Sequence, residues 1–284
     1  MAKLIRLDQE LVRRKLARSR TQAQEMIIKG YVKVSGNEVT KPARQINPAE
    51  PIVVTMDQEI AYVSRGAHKL RGALDYLAEK APTVSQRICL DAGASTGGFT
   101  DVLLRQDARK VYAADVGYGQ LAWKLQSDAR VEIHDRTNVR NLTIDSFEIP
   151  PTLVVSDLSF ISLTTVLPAL VACAAVNAEY LLMVKPQFEV GKDRLGAGGV
   201  VRDTALHESS ILKVCHCGQE LGLKVHAVAP SPLPGPAGNV EYFIHFSKGE
   251  MPSQVSTELT GQELVDAVKT AVVNGPAGKE SKEN

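Results

Sequence analysis

Five short β-prone runs alternate with helix-forming segments between residues 87 and 184, and this alternation constrains the fold more than any other feature of the chain. The runs cover residues 87–90, 110–116, 131–134, 153–156 and 180–184. Strands separated by helices pair in parallel, because the crossover helix returns the chain to the end of the sheet at which the preceding strand began. The sequence therefore predicts an α/β fold, a Rossmann-like sheet with helices on both faces.

A glycine-rich turn follows the first run and opens a helical segment. It reads Asp91-Ala92-Gly93-Ala94-Ser95-Thr96-Gly97-Gly98-Phe99-Thr100-Asp101, and its glycines allow a nucleotide to approach the backbone closely. The turn lacks Gly-Lys-Ser/Thr and departs from the spacing G-x-G-x-x-G, which disfavours a triphosphate cradle and a nicotinamide site. An acid before the first glycine favours a ligand with positive charge. S-adenosylmethionine, which carries an ammonium and a sulfonium, fits this requirement.

Further cofactor contacts are predicted where the second and third runs end. Asp115 is placed to accept hydrogen bonds from ribose hydroxyls, as acids do in nucleotide-binding sheets, although a salt-bridged surface aspartate fits the sequence as well. The adenine is expected beside the residues that follow the third run. The predicted cofactor set is Asp91, Gly93, Ser95, Thr96, Gly97, Gly98, Phe99, Asp115, Val116, Arg136, Thr137 and Asn138.

The first 45 residues form a basic module, with eleven Lys and Arg against four Asp and Glu in a chain whose net charge is +1. Apolar spacing predicts a helix over 8–16 with Leu11 and Leu16 on its buried face, and a second helix that ends before Gly30. Runs 31–34 and 38–40 predict a hairpin whose turn places Gly36 and Asn37 at positive φ. The module is thus a small α+β domain.

The basic side chains of this module predict a contact with a phosphate array, although charge alone fits a solvated helix face equally well. The stretch SRTQAQEMIIKGYVKVSGNEVTKP, residues 19–42, resembles the RNA-binding domain first known from ribosomal protein S4. That resemblance implies that the domain lies along structured RNA and recognises its shape. The predicted RNA-binding residues are Arg13, Arg14, Lys15, Arg18, Arg20 and Lys41.

Four charged residues stand where an α/β sheet places its functional groups. Lys69 lies near the start of a helical pattern, Asp157 and Lys185 follow the fourth and fifth runs, and Glu241 begins a late β-prone run over 240–246. Taken singly, Lys69 fits an exposed lysine and Lys185 fits a lysine that extends to solvent from a strand end.

Together with the glycine-rich turn, these four residues resemble the Lys-Asp-Lys-Glu tetrad of FtsJ-class ribose 2'-O-methyltransferases. The strings SRGAHKL, DAGASTGGFTD, SDLSFISL and VKPQFE are similar to those of the TlyA (hemolysin A) family. The resemblance, which spans about residues 4–248, implies a class I methyltransferase sheet, S-adenosylmethionine as cofactor, and 2'-O-methylation of cytidines in ribosomal RNA of the small and in many members also the large subunit.

This chemistry requires such residues, because a ribose hydroxyl is a poor nucleophile until it loses its proton. We expect Lys185 to act as the base, since an ammonium desolvated beside a cationic cofactor gives up its proton more readily. Asp157 and Glu241 would hold Lys185, and Lys69 would orient the hydroxyl or its phosphate. An RNA-binding ribosome-assembly factor with an inactive methyltransferase fold is the alternative, which the complete tetrad disfavours.

The remaining features set the boundaries of these predictions. We expect an RNA-binding domain over 1–58, a linker over 59–66, a methyltransferase domain over 67–250, and a mostly disordered tail over 251–284 with a helix near 260–273. No signal sequence or apolar span of membrane length occurs in the sequence, which predicts a cytoplasmic protein and argues against a membrane-acting hemolysin. Cys215, His216 and Cys217 lack the spacing of a zinc site, so no metal is expected.

Overall fold

A computed structural model of the chain describes residues 4–17, 19–28, 30–54, 62–235, 237–249 and 257–276. The chain divides into two compact units, Met1–Ala61 and Tyr62–Asn284. Each unit has a hydrophobic core of its own.

The first unit is a small α+β domain. Its elements are β1 (Ile5–Arg6), α1 (Leu7–Arg13), α2 (Arg20–Ile28), β2 (Val32–Val34), β3 (Asn37–Glu38), β4 (Gln45–Ile46) and β5 (Ile52–Val54). Strands β3, β2 and β5 form one sheet, and β1 pairs with β4. The core is built from alternate residues of β2 and one face of each helix, including Leu7, Leu11, Ala23 and Ile27.

Two local predictions for this unit are wrong in detail. Helix α1 ends at Arg13 and does not continue to residue 16, because Lys15 has a positive φ of 59°; Leu16 is exposed in consequence. In the hairpin the positive φ values fall on Ser35 and Gly36. Because Val34 pairs directly with Asn37, the turn has two residues, and both of its positions require a left-handed backbone.

The second unit is a seven-stranded sheet with helices packed on both faces. Its elements are α3 (Gly66–Leu77), β6 (Ile88–Ala92), α4 (Gly98–Arg105), β7 (Lys110–Ala114), α5 (Trp123–Gln126), β8 (Val131–His134), β9 (Leu153–Ser156), α6 (Leu163–Cys173), β10 (Glu179–Val184), α7 (Pro186–Glu189), α8 (Thr204–Glu220), β11 (Leu223–Pro230), β12 (Tyr242–Lys248) and α9 (Gly261–Asn274).

The strand order of the sheet is β11-β12-β10-β9-β6-β7-β8. The five neighbouring strands β10, β9, β6, β7 and β8 pair in parallel, whereas β12 is antiparallel to both β10 and β11. The order reverses between β6 and β9, and in open α/β sheets ligands bind at the carboxyl ends of the strands at such a reversal. The sheet therefore places a crevice beside the residues that follow β6 and β9.

Side chains of the central strands alternate between two cores, one on each face of the sheet. Leu182 and Val184 of β10 join a cluster with α6, α8 and α9, whereas Leu181 and Met183 join a cluster with α3 and α4. Because both faces are covered, these strands are apolar throughout their length. The predicted α/β fold with helices on both faces is confirmed.

Strand β11 was not anticipated, and two predicted strands have shifted ends. Strand β7 ends at Ala114, so that Asp115 and Val116 lie in the loop beyond it. Strand β12 begins at Tyr242, one residue after Glu241. The two cysteines at 215 and 217 lie on α8, where Cys215 is buried in the core.

Part of the predicted linker packs within the second unit. Val63 is buried, and its backbone N–H donates to Asp101 at 2.9 Å, while the guanidinium of Arg105 lies 4.5 Å from the ring centroid of Tyr62. Helix α3 begins at Gly66. Residues 62–66 therefore belong structurally to the unit with the large sheet, and residues 59–61 lie outside the described residues.

The predicted helix in the tail is an integral part of the sheet unit. Helix α9 packs on β11 and α8, and its residues Leu264, Val268, Ala271 and Val272 join the core of that face. The expectation of a mostly disordered tail therefore fails for residues 257–276, and the other tail residues lie outside the described ranges. Among the helices described, none is long and apolar enough to cross a membrane.

Substitution of Val268 by Asp tests the contribution of α9 to stability. Val268 is fully buried, so an aspartate there places a charge without a partner in the core, and we expect the free energy of unfolding to fall by about 3 kcal/mol or more. Lys269→Asp at the exposed neighbouring position is the control and should change it by less than about 0.5 kcal/mol. Equal denaturation midpoints for the two variants would contradict the packing of α9.

Candidate active site

Four charged side chains meet at the carboxyl edge of the sheet. Asp157 and Lys185 follow β9 and β10, and Glu241 precedes β12. Because β12 is antiparallel to β10 and Tyr242 pairs with Val184, the start of β12 lies beside the end of β10. Lys69 reaches the same point from the first turn of α3. The structure thus brings together all four residues of the predicted tetrad.

The four groups form two close ion pairs that cross-connect. Lys69 Nζ lies 2.5 Å from Glu241 Oε2 and 3.8 Å from Asp157 Oδ2. Lys185 Nζ lies 2.5 Å from Asp157 Oδ1 and 3.9 Å from Glu241 Oε1. Two lysines and two acidic residues, equal and opposite in formal charge, are therefore linked by four contacts of 2.5 to 3.9 Å.

The cluster is largely withdrawn from water, and Asp157 is its most accessible member. The side chain of Glu241 is 1% exposed and that of Asp157 is 22% exposed. Burial raises the pKa of Glu241, and the neighbouring Lys69 and Lys185 oppose that rise. Charges held this close in a site of low dielectric interact more strongly than in water.

Ser159 is a member of the site that the sequence reasoning missed. Lys185 Nζ donates to Ser159 Oγ at 2.9 Å. Ser159 stands two residues after Asp157 in the string SDLS. A hydroxyl two residues after the predicted tetrad aspartate, at a strand end, was the available signal.

The glycine-rich turn lies in the crevice between β6 and β9. Gly93 has a φ of +89°, and a Cβ on it would come within 2.9 Å of the carbonyl oxygen of Asp157. Gly97 has a φ of +95°, just before α4 begins. Both positions therefore require glycine, and the turn presents open backbone next to the charged cluster.

Comparison with known proteins assigns the chain to a family. Residues 62–248 match the FtsJ-like methyltransferase family and residues 5–52 match the S4 domain. A Mycobacterium tuberculosis relative, the 16S/23S rRNA (cytidine-2'-O)-methyltransferase TlyA, is 52% identical, with 97% of this chain and 100% of the relative covered. The chain belongs to the TlyA family of FtsJ-like methyltransferases.

Other members of the TlyA family agree with this assignment along most of the chain. Hemolysin A of Brachyspira hyodysenteriae is 40% identical, with 85% of this chain and 99% of that protein covered. The solved structure of a Streptococcus thermophilus protein named as a hemolysin is 33% identical, covers 100% of both chains and has a TM-score of 0.69. As a TlyA-family methyltransferase, the chain uses S-adenosylmethionine as its methyl donor.

Asp91 fits this cofactor in an indirect way. It is fully buried, and its Oδ2 accepts from the N–H and the hydroxyl of Thr100, at 2.9 and 2.7 Å, in the first turn of α4. Its Oδ1 is buried without a hydrogen-bond partner among the described residues. Asp91 therefore anchors the helix behind the glycine-rich turn and keeps one oxygen available for a donor.

The other predicted cofactor residues fall into three groups. Ser95 N–H and Gly117 N–H donate to the two carboxylate oxygens of Asp115, at 2.9 and 2.7 Å, which fixes the loop after β7 against the turn. Thr96 lies in the turn itself, where its carbonyl oxygen accepts from Ala122 N–H, whereas Gly98 packs against α3, since a Cβ on it would come within 2.7 Å of Ala67 N. Val116 is 70% exposed beside Asp115, as an adenine contact would require.

Four residues of this set have partners within the fold, and for Phe99 this contradicts the prediction, whereas Asn138, Arg136 and Thr137 stay predictions. Phe99 is buried and stacks on Phe243 with centroids 6.0 Å apart, so its ring belongs to the core. Asn138 Oδ1 accepts from Arg140 N–H and caps a short turn. Arg136 lies over the ring of Tyr118 at 4.4 Å, and Thr137 donates to the carbonyl oxygen of Asp135. The open backbone at Gly93 and Gly97 and the buried Oδ1 of Asp91, which has no partner among the described residues, fit S-adenosylmethionine.

Three of the predicted RNA-binding arginines form ion pairs within the first unit, which is called the S4 unit because residues 5–52 match the S4 domain. Arg13 and Arg14 both bind the fully buried Glu10, at 2.6 and 2.7 Å, and Arg20 binds the fully buried Asp8 at 3.1 Å. Arg13 holds the pKa of Glu10 below its usual value, and Arg6 does the same for Asp8. These ion pairs give the arginines a role in the fold, and since the side chains of Arg13 and Arg20 remain exposed, their contact with RNA stays a prediction.

The exposed cations that have no ion-pair partner among the described residues of the S4 unit are a partly different set. Lys15 and Lys41 are exposed as predicted, and Lys33 and Arg44 join them; within the described part of the unit none of the four has an ion-pair partner. Arg18 lies outside the described residues. The Glu10-Arg13-Arg14 spacing of three and four was the sequence signal for the internal pairs.

Asp91 gives the fold a testable dependence on pH. Burial raises its pKa from 3.8 to about 7, so it contributes stability below about pH 4 that is lost as the pH rises through 7. Asp91→Asn should remove this dependence, which by linkage amounts to on the order of 4 kcal/mol at most. Chemical denaturation at pH 5 and pH 8 measures it, and parallel pH profiles for the wild type and variant would contradict the assignment.

Proposed function

We propose that this chain transfers a methyl group from S-adenosylmethionine to the 2'-hydroxyl of cytidine in ribosomal RNA, in the 16S and also the 23S molecule. The observation that carries the proposal is the tetrad of Lys69, Asp157, Lys185 and Glu241 beside the glycine-rich turn. The proposal of both subunits rests on the 52% identity to the relative whose name includes both.

The proton of the target hydroxyl is assigned to Lys185. Its Nζ is buried at the end of β10, within 2.5 Å of Asp157 and 2.9 Å of Ser159. Lys185 acts as a neutral amine, so its ammonium first gives up one proton to solvent; it then accepts the proton of the hydroxyl, and Asp157 stabilises the ammonium that results. Bound S-adenosylmethionine supplies the electrophilic methyl group.

The other two members of the tetrad are assigned to orientation. Glu241 holds Lys69 at 2.5 Å, and this pair fixes the ammonium of Lys69 beside Asp157, where it binds the ribose hydroxyl or the adjacent phosphate. Rate enhancement then comes largely from alignment of the hydroxyl oxygen with the methyl carbon.

Methyl transfer to separated ribosomal subunits tests the substrate. Purified 30S and 50S subunits from a strain without this enzyme are incubated with S-adenosylmethionine labelled in the methyl group. We expect label in the RNA of both subunits. Label in one alone would restrict the proposal to that subunit, and RNA binding without label in either would favour an inactive assembly factor.

The exposed cations of the S4 unit predict how RNA affinity depends on salt. Replacement of Lys15, Lys33, Lys41 and Arg44 by Ala should reduce the slope of log K against log salt by about 0.7 to 0.9 for each lost phosphate contact. These contacts bind the substrate and the transition state equally, so their loss should raise KM and leave kcat at saturating RNA unchanged. Filter binding at several salt concentrations and steady-state kinetics measure both quantities.

Arg14→Ala is the contrasting control for that experiment. It removes one of the partners of the buried Glu10, so it should lower the stability of the S4 unit by about 1 to 3 kcal/mol with a smaller effect on the salt slope. If the fourfold variant instead lost kcat and kcat/KM equally at an unchanged slope, these cations would serve the active site and not RNA affinity.

A further inference from the structure

Glu189 is a buried carboxylate that neither the tetrad nor the cofactor turn uses. It ends α7, four residues after Lys185, and its side chain is 1% exposed. A buried carboxylate is costly unless its oxygens are satisfied. The partners that satisfy it therefore indicate what it does.

Both oxygens of Glu189 bind the end of the segment that carries Asp157. Leu163 N–H donates to Oε1 and Ser162 Oγ donates to Oε2, each at 2.6 Å, at the beginning of α6. Lys213 of α8 adds a longer pair at 3.4 Å, with half of its side chain exposed. The two short bonds to Ser162 and Leu163 are thus the main connection.

The segment held in this way, residues 157–163, contributes two groups around Lys185. Asp157 and Ser159 both contact the Lys185 ammonium. At its other end the segment is held by Asp157 N–H, which donates to the carbonyl oxygen of Ala92 at 3.2 Å. Between these ends, Ser159 and Phe160 are exposed to solvent.

The backbone within the segment is strained. Phe160 has a φ of +64°, which is unfavourable for an aromatic residue, and its ring is 92% exposed and 5.4 Å from that of Phe188 on α7. Such a conformation persists only where the surroundings hold it. Burial of its own ring does not hold Phe160, so the segment is held by the attachments at its ends together with the packing of Leu158 and Ile161 against the core.

We propose that Glu189 is a positioning residue that fixes the 157–163 segment relative to Lys185, so that Asp157 and Ser159 meet its ammonium. The inference rests on the proposed function, in which Lys185 takes the proton. Glu189 and Lys185 lie four residues apart on one short stretch of chain. The hydrogen bond from Leu163 N–H to Glu189 holds one end of the segment to this stretch, and the contact of Asp157 with Lys185 holds the other end.

The test compares Glu189→Ala with Glu189→Gln. Alanine removes both bonds, and kcat should fall by about 30- to 100-fold, with the cofactor Kd unchanged within about threefold. Glutamine can accept from Leu163 N–H and donate to Ser162 Oγ, so it should restore kcat to within about fivefold of the wild type. If Glu189 served only the fold, Glu189→Ala would lose folded protein and would not show a fall in kcat at unchanged cofactor Kd.

Glu179→Ala is the matched control. Glu179 is an equally buried carboxylate at the opposite end of β10, paired with Arg87 and His245. Its loss should destabilise the fold and leave the kcat of the folded fraction within about threefold. If both alanine variants lost kcat in proportion to the loss of folded protein, or Glu189→Ala retained wild-type kcat, the proposal would be wrong.

Hydrogen–deuterium exchange separates this inference from the proposed function. In the full-length protein without substrate, peptides covering 158–164 should exchange about tenfold faster in Glu189→Ala than in the wild type, and at the wild-type rate in Glu179→Ala. Unchanged exchange in Glu189→Ala overturns the positioning role whatever the activity. Absence of methyl transfer by the wild-type protein would overturn the proposed function alone.

Discussion

Lys185→Ala is expected to lower kcat for methyl transfer by about 10²- to 10⁴-fold, the contribution that a positioned general base makes. Its affinity for S-adenosylmethionine, measured by calorimetry, should change by less than about threefold, because the glycine-rich turn is formed by other residues. Lys185→Arg should not rescue the activity, since a guanidinium stays protonated and cannot accept a proton.

Lys224→Ala provides the control for this pair, because Lys224 is exposed on the edge strand β11. It should retain wild-type kcat. An active arginine variant at position 185 would remove Lys185 from the role of base and leave it a purely electrostatic one.

The second large effect is expected on stability. Glu241→Ala leaves Lys69, which is 4% exposed, with Asp157 at 3.8 Å as its one ion-pair partner among the described residues. Loss of one partner from a buried pair costs about 3 to 5 kcal/mol, because the remaining charge is uncompensated. Denaturant unfolding should show this loss, and methyl transfer should be abolished.

Combining Lys69→Met with Glu241→Leu should recover most of that stability without recovering activity, since no uncompensated lysine charge from this pair remains. The two outcomes separate stability from catalysis at the same position. A double variant as unstable as Glu241→Ala would show that the loss comes from packing around Glu241 and not from the charge on Lys69.

The sequence was sufficient to predict the sheet and two of the four tetrad residues, because these have strong local signals. Apolar runs buried on both faces of a parallel sheet read as continuous strands, as at 180–184. Lys185 and Asp157 each follow such a run, and parallel strands bring their carboxyl ends to one edge. Lys69 and Glu241 required the resemblance to a known family, since neither position stands out by spacing.

The roles that could not be predicted are those that a side chain takes from the residue it contacts in the folded structure. A sequence shows that Arg13 and Arg14 are cationic, but the burial of Glu10, which gives them their role in the fold, follows from tertiary packing. Phe99 has the same limitation, because its position in the turn fits a cofactor contact until the neighbouring Phe243 is known. Helix α9 was predicted, but its docking on β11 was not, since β11 itself carried no recognised signal.

The chemical identity of the methylated nucleoside tests the central claim most directly. Ribosomal RNA from subunits treated with the wild-type protein and S-adenosylmethionine is digested to nucleosides and analysed by mass spectrometry beside RNA treated with Lys185→Ala. We expect 2'-O-methylcytidine with the wild type and about 10²-fold less or none with the variant. Methylation on a base, on another ribose, or equally by both proteins would contradict the account.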